Sequence, residues 1–303
     1  MIRNFKELMD AARSQKRARL AVAAAQDEEV LIAVCNAAQE GIVEPVLVGD
    51  PEEIRKIAGE HGLEIGGFEI VEALDLTEAA RTAVALVSSG KADYLMKGLI
   101  DTSILLKAVL DKEIGLRTDS QLSHVMVYGM AAYPKLLFLT DGGMNIAPSL
   151  EEKAKIIRNA VAVARATGIQ RIKVACLAAK EKVEPKMQAT VDADALQKMG
   201  EAGDFGPDVA VQGPLAFDLA VSKEACEVKK ISGEVAGDAD VLLVPTIEMG
   251  NGIGKTMTYM AGADSAGIIM GAKVPVVLVS RADSHEAKLY SIALGSLIAA
   301  QSK

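Results

Sequence analysis

Short runs of Val, Ile, Leu and Ala alternate along the chain with longer segments in which apolar residues recur every three or four positions. The first pattern suits strands buried on both faces, and the second suits amphipathic helices laid across them. The alternation therefore predicts an α/β fold of two α/β/α domains with mostly parallel sheets and a cleft between the domains. In the first half the runs predict strands at 19–25, 44–49, 69–72, 92–96 and 123–130, with helices over 27–40, 51–61, 77–89 and 102–113. Gly41, Gly62 and Gly90 stand where these helices end, and a residue free to adopt positive φ closes a last helical turn. Tyr133-Pro134 interrupts the pattern, because proline lacks the N–H that a central strand donates and restricts the residue before it. It marks the expected boundary between a first domain of residues 1–133 plus 284–303 and a second of residues 134–283. The second is expected to hold strands at 135–140, 171–178, 208–212, 240–244 and 274–279. Ser149 and Glu152 have the spacing of a capping box and start a helix expected to reach Gly168. The segment 284–300 is helical in pattern and is expected to return and cover the first domain.

Composition narrows the classes of function. Half of the 303 residues are hydrophobic and 24% are charged, as in compact globular chains. Aromatics make up only 3%, Trp is absent and the net charge is −8, so stacking platforms and a broad cationic surface for nucleic acid are both missing. The longest late apolar run is broken by Lys273 and Pro275, and the start MIRNFKEL has mixed charge without an export pattern. A cytoplasmic location with no membrane partner is the expectation. Cys35, Cys176 and Cys226 are odd in number and lack ligand spacing, which suits reduced core thiols. His61, His124 and His285 are equally scattered and give no metal signal.

Candidate chemistry gathers at strand ends, where ligands of open α/β sheets bind. VPVVLVSRADS, residues 274–284, delivers the hydroxyl of Ser280 and the guanidinium of Arg281 to the end of a strand, a pairing suited to an anion, although a polar turn leaving the core would use the same residues. Lys97 follows the strand ADYLM beside Gly98, either as an anion contact or as a solvated lysine. Arg117, Ser123 and His124 flank another apolar run with a cation, a hydroxyl and a titratable imidazole, again as ligand contacts or as surface. Asp141 and Asn145 lie in a glycine-containing loop, where they orient backbone amides, bind a polar ligand or close the turn. Gln212 precedes a sharp turn expected at Gly213-Pro214, and Asp218 follows on a first helical turn, available to a ligand or to a cap. DVLLVPTIEMGNGIGKT, residues 240–256, reads as a strand, a Gly-rich loop and a helix. There Asn251, Gly252 and Gly254 would let the backbone approach a phosphate that Lys255 neutralises. It is not a nucleoside-triphosphatase loop, since Met249 stands where G-x-x-x-x-G-K-T requires glycine. Together these residues predict a site for a phosphate-containing molecule.

Seven segments in order carry a resemblance: YLMKGLIDTS from Tyr94, GLRT from Gly115, LSHV from Leu122, TDGGMNIAP from Thr140, QGPLAFD from Gln212, NGIGK from Asn251 and SRADS from Ser280. Across nearly the whole chain they resemble the phosphate acetyl/butyryl transferase family, and its butyryltransferases more than its typical acetyltransferases. The resemblance implies two α/β domains around an active cleft, a homodimer or higher homo-oligomer, and reversible transfer of a short acyl group between coenzyme A and inorganic phosphate. Acyl-CoA, acyl phosphate and phosphate are then substrates, with no tightly bound cofactor. It further implies that Arg281 engages phosphate and that Ser280 stabilises the reacting centre. The carboxylate proposed in relatives to take the thiol proton falls on Ala287, which leaves Asp283 and Glu286 as nearby substitutes. Direct transfer in a ternary complex is the expected route, because no sequence-local histidine and carboxylate plainly activate Ser280 for an acyl-enzyme. The alternatives are a phosphate acetyltransferase, a related-fold dehydrogenase, which lacks its G-x-G-x-x-G at the first βα turn, and a non-catalytic coenzyme A or phosphate-binding protein.

Overall fold

The computed structural model describes residues 1–280 and 283–301. The chain opens with α1 (Phe5–Arg13), β1 (Ala18–Ala23), α2 (Glu28–Gln39), β2 (Val43–Gly49), α3 (Pro51–Glu60), β3 (Glu69–Glu72), α4 (Leu76–Ser88), β4 (Tyr94–Lys97) and α5 (Thr102–Val109). It continues with β5 (Ser123–Gly129), β6 (Leu137–Thr140), α6 (Leu150–Ala166), β7 (Ile172–Leu177), α7 (Gln188–Glu201), β8 (Val209–Leu215), α8 (Phe217–Val221), α9 (Lys223–Lys229), β9 (Val241–Leu243) and α10 (Ile247–Tyr259). It closes with β10 (Asp264–Met270), β11 (Val276–Val277) and α11 (His285–Gln301). Two compact units result: an N-terminal unit of Lys6–Ser120 with Ala266–Lys303, and a central unit of Met1–Phe5 with Gln121–Ser265.

In the N-terminal unit the strand order is β3-β2-β1-β4-β11-β10, parallel except where β10 runs against β11. Helices start where aspartates permit: Asp27, Asp50 and Asp75 accept first-turn N–H groups of α2, α3 and α4. The last helix packs on α2, β4 and β11 of this unit. Tyr94, fully buried, donates its hydroxyl to the carbonyl of Ile292 at 2.8 Å. Gly295 is required there, because a Cβ would lie 2.6 Å from the Tyr94 ring.

The central unit carries the order β5-β6-β9-β7-β8, parallel except for the β5/β6 pair. Its core joins Tyr128, Leu139, Leu177, Leu215 and Leu242. The capping box forms: Ser149 N–H donates to Glu152 Oε2 at 2.7 Å, and Glu152 N–H donates to Ser149 Oγ at 3.3 Å. A buried ion pair joins Lys153 on α6 to Asp192 on α7 at 2.6 Å, and Gln188 donates to the second carboxylate oxygen at 2.7 Å.

The division of the chain differs from the expectation in two places. Tyr133-Pro134 is no domain boundary in this structure but lies in the connection of an antiparallel pair, since β5 hydrogen-bonds β6 with Met126 opposite Leu139. The segment 274–279 contributes only the two-residue β11, which pairs with β4 and β10 and so belongs with the N-terminal unit. Gly213-Pro214 does not turn the chain either. Strand β8 runs through it to Leu215, at the sheet edge where a missing N–H costs least, and its register against β7 shifts at that point. No helix among the described residues is long and apolar enough to cross a membrane.

Candidate functional site

In the N-terminal unit the parallel register Val277 opposite Met96 carries β4 and β11 off the same edge of the sheet, so Lys97 and Ser280 both lie at strand C-terminal ends. Ser280 is exposed. Its N–H donates to Asp283 Oδ2 at 2.8 Å and its carbonyl accepts from Asp283 N–H at 3.1 Å, which ties the two residues together before α11. Buried Lys288 adds Nζ to the Asp283 carbonyl at 2.5 Å. Arg281 lies outside the described residues. Glu286 is exposed on the first turn of α11, and hydrogen bonds from its own backbone N–H and from Ser284 hold its carboxyl below the ordinary range. Ala287 is turned into the fold, only 8% exposed. Between these positions His285 places Nε2 3.0 Å from Glu286 Oε1 and Nδ1 3.4 Å from Glu29 Oε2 on α2. Lys97 is half-buried and tied to its own loop, donating to the carbonyls of Ile100 at 2.9 Å and Gly98 at 3.2 Å. Arg117 is exposed, next to Thr118, whose hydroxyl donates to the Gly271 carbonyl at 2.5 Å.

In the central unit Asp141 is the organising group. It is 2% exposed. Its Oδ1 accepts from Gly143 and Met144 N–H at 2.8 and 2.9 Å. Its Oδ2 accepts from His124 N–H at 3.1 Å and from the backbone and side-chain nitrogens of Asn145 at 3.3 and 2.6 Å. Asn145 also donates to the Leu122 carbonyl at 2.9 Å and accepts from Gln121 at 2.6 Å. Ser123 is fully buried and accepts from Asn159 at 2.8 Å, so its hydroxyl serves the interior. The His124 ring lies against Gly143, where a Cβ would fall 2.7 Å from Nδ1. Thus His124, Asp141 and Asn145 are brought together, and their polar groups largely hold one another.

The expected Gly-rich loop is instead the body of a helix. Helix α10 begins at Ile247, and the Gly250 N–H already donates to the Thr246 carbonyl, so amides beyond it are committed along the helix. The glycines serve packing: a Cβ on Gly250 would lie 2.6 Å from Gly142 Cα, and one on Gly254 would lie 2.6 Å from Tyr128 Oη. Gly252 faces open space. Asn251 and Lys255 are exposed, with Lys255 Nζ 5.8 Å from the Tyr259 ring centroid. Two further candidates are consumed by loops. Gln212 Oε1 accepts from Val235 and Ala236 N–H at 3.3 and 3.2 Å, while its Nε2 donates to the Ser232 carbonyl at 2.9 Å. Asp218 pairs with Lys229 at 2.8 Å, which holds its carboxyl below the ordinary range.

Sequence reasoning passed over Glu29, an unremarked first-turn glutamate until the fold sets it beside His285, and the Lys153–Asp192 pair. The three cysteines are free and buried. Among the described residues no cluster of three His, Cys, Asp or Glu side chains is arranged to hold a metal ion.

A family model described as Phosphate acetyl/butaryl transferase matches residues 4–78 and 73–296. The chain is 48% identical over 299 residues to a phosphate butyryltransferase of Clostridium acetobutylicum, covering 99% of each chain. It is 44% identical over 295 residues to a phosphate acetyltransferase of Thermotoga maritima, covering 97% of this chain and 99% of that one. Its fold matches a branched-chain phosphotransacylase from Enterococcus faecalis V583 with a TM-score of 0.81 at 36% identity, covering 93% of this chain and 99% of that one. The chain belongs to the phosphate acetyl/butaryl transferase family, and its chemistry is acyl transfer between coenzyme A and phosphate.

Proposed function

We propose that the protein transfers a four-carbon acyl group, butyryl by preference, between coenzyme A and inorganic phosphate by direct attack in a ternary complex. The observation that carries the reading is Ser280, exposed at the end of β11 with its backbone fixed by Asp283. The similarity to a phosphate butyryltransferase and to a branched-chain phosphotransacylase favours the longer acyl group. Phosphate oxygen attacks the thioester carbon, or the thiolate attacks the acyl phosphate, and either route gathers negative charge on a tetrahedral centre. Ser280 donates its hydroxyl to that developing charge, and Arg281 supplies a guanidinium for the phosphate oxygens. Arg117 and Lys97 add cationic charge for the anionic substrates, and holding both reactants together removes part of the entropic barrier. The working form is taken as a cytoplasmic homodimer, which sedimentation and cell fractionation test.

The experiment is phosphate-dependent thiol release from acetyl-, propionyl-, butyryl- and isobutyryl-CoA, compared by kcat/KM. Two extra methylenes in a fitted pocket at about 0.8 kcal/mol each favour butyryl over acetyl by about 1.6 kcal/mol, roughly fifteenfold. Equal or greater kcat/KM for acetyl-CoA would make the protein an acetyltransferase. Absence of phosphate-dependent release from every short acyl-CoA would remove the reading altogether. Rapid-quench mass spectrometry with labelled butyryl-CoA tests the direct route, since an acyl adduct on Ser280 forming fast enough for turnover would replace it.

A further inference from the structure

We propose that His285, oriented by Glu29, takes the proton from the coenzyme A thiol when that thiol attacks an acyl phosphate, and returns it to the departing thiolate in the opposite direction. The proposal rests on the acyl-transfer reading and adds to it the group that manages the proton.

The chemistry demands such a group, because the thiolate is the nucleophile and a free thiol is mostly protonated at neutral pH. Among the described residues around Ser280, the carboxylates are poorly suited to the task. Asp283 is committed to the Ser280 N–H. Glu286 is held below the ordinary carboxylate range, which makes it a weak acceptor for a thiol proton. Ala287 offers no polar atom and is buried. An imidazole, by contrast, offers one ring nitrogen as acceptor while the other donates.

The environment of His285 supplies orientation as well as charge. Among the described residues, Glu29 Oε2 is buried and accepts no hydrogen bond, although the His285 Nδ1 lies 3.4 Å away. A buried carboxylate oxygen without a donor is costly, and a closure of a few tenths of an ångström would satisfy it with Nδ1–H. That tautomer leaves Nε2 as the proton acceptor. Nε2 faces Glu286 Oε1 at 3.0 Å, on an exposed side chain, so the thiol reaches Nε2 by displacing that contact. Among the described residues, Glu29 of α2 and Glu286 of α11 contact the imidazole, and Glu28 of α2, Lys288 of α11 and Asp283 of the preceding turn are the further charged groups on those segments. Glu28 is engaged with His61 at 3.5 Å, and Lys288 is turned to the Asp283 carbonyl at 2.5 Å. Glu29 therefore remains the carboxylate that holds Nδ1 while Nε2 meets the thiol.

The step balances. In one direction the S–H bond breaks as N–H forms at Nε2, the sulfur electron pair forms the C–S bond, and the C–O bond breaks with its electrons leaving on phosphate. In the other, a phosphate oxygen forms the C–O bond, the C–S bond breaks, and the departing sulfur takes the proton from the imidazolium.

The test measures kcat and KM for butyryl phosphate with coenzyme A from pH 5.5 to 9 in the wild type and in His285→Gln, His285→Ala, Glu29→Gln and Glu286→Gln. His285→Gln should lower kcat by about a hundredfold or more and abolish the fall of kcat toward low pH, the limb on which a protonated acceptor is inactive. Added imidazole should restore part of the activity of His285→Ala, which a merely structural histidine would not permit. Glu29→Gln should lower kcat with little change in KM and displace the same limb. Retention of the limb in His285→Gln with kcat within about threefold of wild type overturns the proposal, as does its loss in Glu286→Gln alone. A wild type inactive on butyryl, acetyl and isobutyryl phosphates would instead overturn the acyl-transfer reading. Activity in the wild type with an indifferent His285→Gln defeats only the role of the histidine.

Discussion

The glycines of α10 separate a packing helix from a phosphate loop, and three alanine substitutions distinguish the two. Gly252 lies inside the helix with nothing within 4 Å of its would-be Cβ. A helical glycine costs about 1 kcal/mol relative to alanine, so Gly252→Ala should stabilise the protein by about 0.5–1 kcal/mol and raise Tm by roughly 2 °C. Gly250 is the opposite case. Its Cβ would meet Gly142 Cα at 2.6 Å, Val244 Cγ2 at 2.9 Å and the Asp141 carbonyl at 3.0 Å. Two of these are backbone atoms of the loop that the Asp141 carboxylate holds, so they cannot swing aside. Overpacking of about 1–3 kcal/mol outweighs the propensity gain, and Gly250→Ala should be destabilised by about 1–2 kcal/mol net. Gly254→Ala falls between them, since its Cβ would approach the single Tyr128 hydroxyl at 2.6 Å, at the end of a buried ring.

The assay is urea unfolding followed by far-ultraviolet circular dichroism on all three variants, with KM for phosphate measured alongside. The expected order of stability is Gly252→Ala above wild type, then Gly254→Ala, then Gly250→Ala. A phosphate loop predicts the reverse emphasis: the substitution in open space would raise KM for phosphate steeply and leave stability unchanged. A destabilised Gly252→Ala, or a Gly250→Ala as stable as wild type, would refute the packing argument.

Three other outcomes follow from the same structure. Asp192→Ala strands the ammonium of Lys153 in the interior and should cost about 3–5 kcal/mol, whereas the double change Lys153→Met with Asp192→Leu should recover most of that in the same urea assay. Burial raises the thiols of Cys35 and Cys176 to about 11 and about 12, so iodoacetamide at pH 8 should leave both unmodified in the native protein and alkylate them in urea, read by intact mass. The Asp111 carboxyl is lowered from 3.8 to about 2 by the N–H groups of Glu113 and Ile114 and by Arg81. A depressed folded value gives stability that is complete above the unfolded value and is lost as pH falls from about 4 through 2. Asp111→Asn should therefore flatten the stability profile across that window and leave its slope above pH 5 unchanged.

Much of the architecture could be read from local pattern because the strands are buried on both faces. The runs at 19–25, 44–49 and 69–72 correspond closely to β1, β2 and β3, and the serine and glycine punctuation marked helix ends. What escaped lacked such punctuation. Helix α7 begins without a side-chain cap and carries polar residues through its length, while β10 is diluted by Asp264, Ser265 and Gly267. Strand β10 is held by partners remote in sequence: its Gly267 N–H donates to Ser291 Oγ at 2.9 Å. The glycines of α10 misled for the same reason, since their justification is Gly142 and Tyr128, which no local window contains.

The candidate site divides along a similar line. Side chains fit for a ligand are equally fit to close a loop, and nothing in the sequence tells Gln212, which satisfies the amides of Val235 and Ala236, from a substrate contact. Ser280 and Asp283 were named for chemistry, and the structure adds a contact between them, the Ser280 N–H donating to Asp283 Oδ2. The proton acceptor was not so named, because position 287 announces only that a carboxylate is missing there. Helices α2 and α11 lie side by side, and both begin just beyond a strand of the same sheet, so the first turn of one faces the first turn of the other. The proposed proton acceptor therefore sits at the first residue of α11 and is completed from the first turn of α2. His285 and Glu29 occupy those two positions, which makes the geometry between helices, rather than the neighbouring sequence, the place where this chain compensates for Ala287.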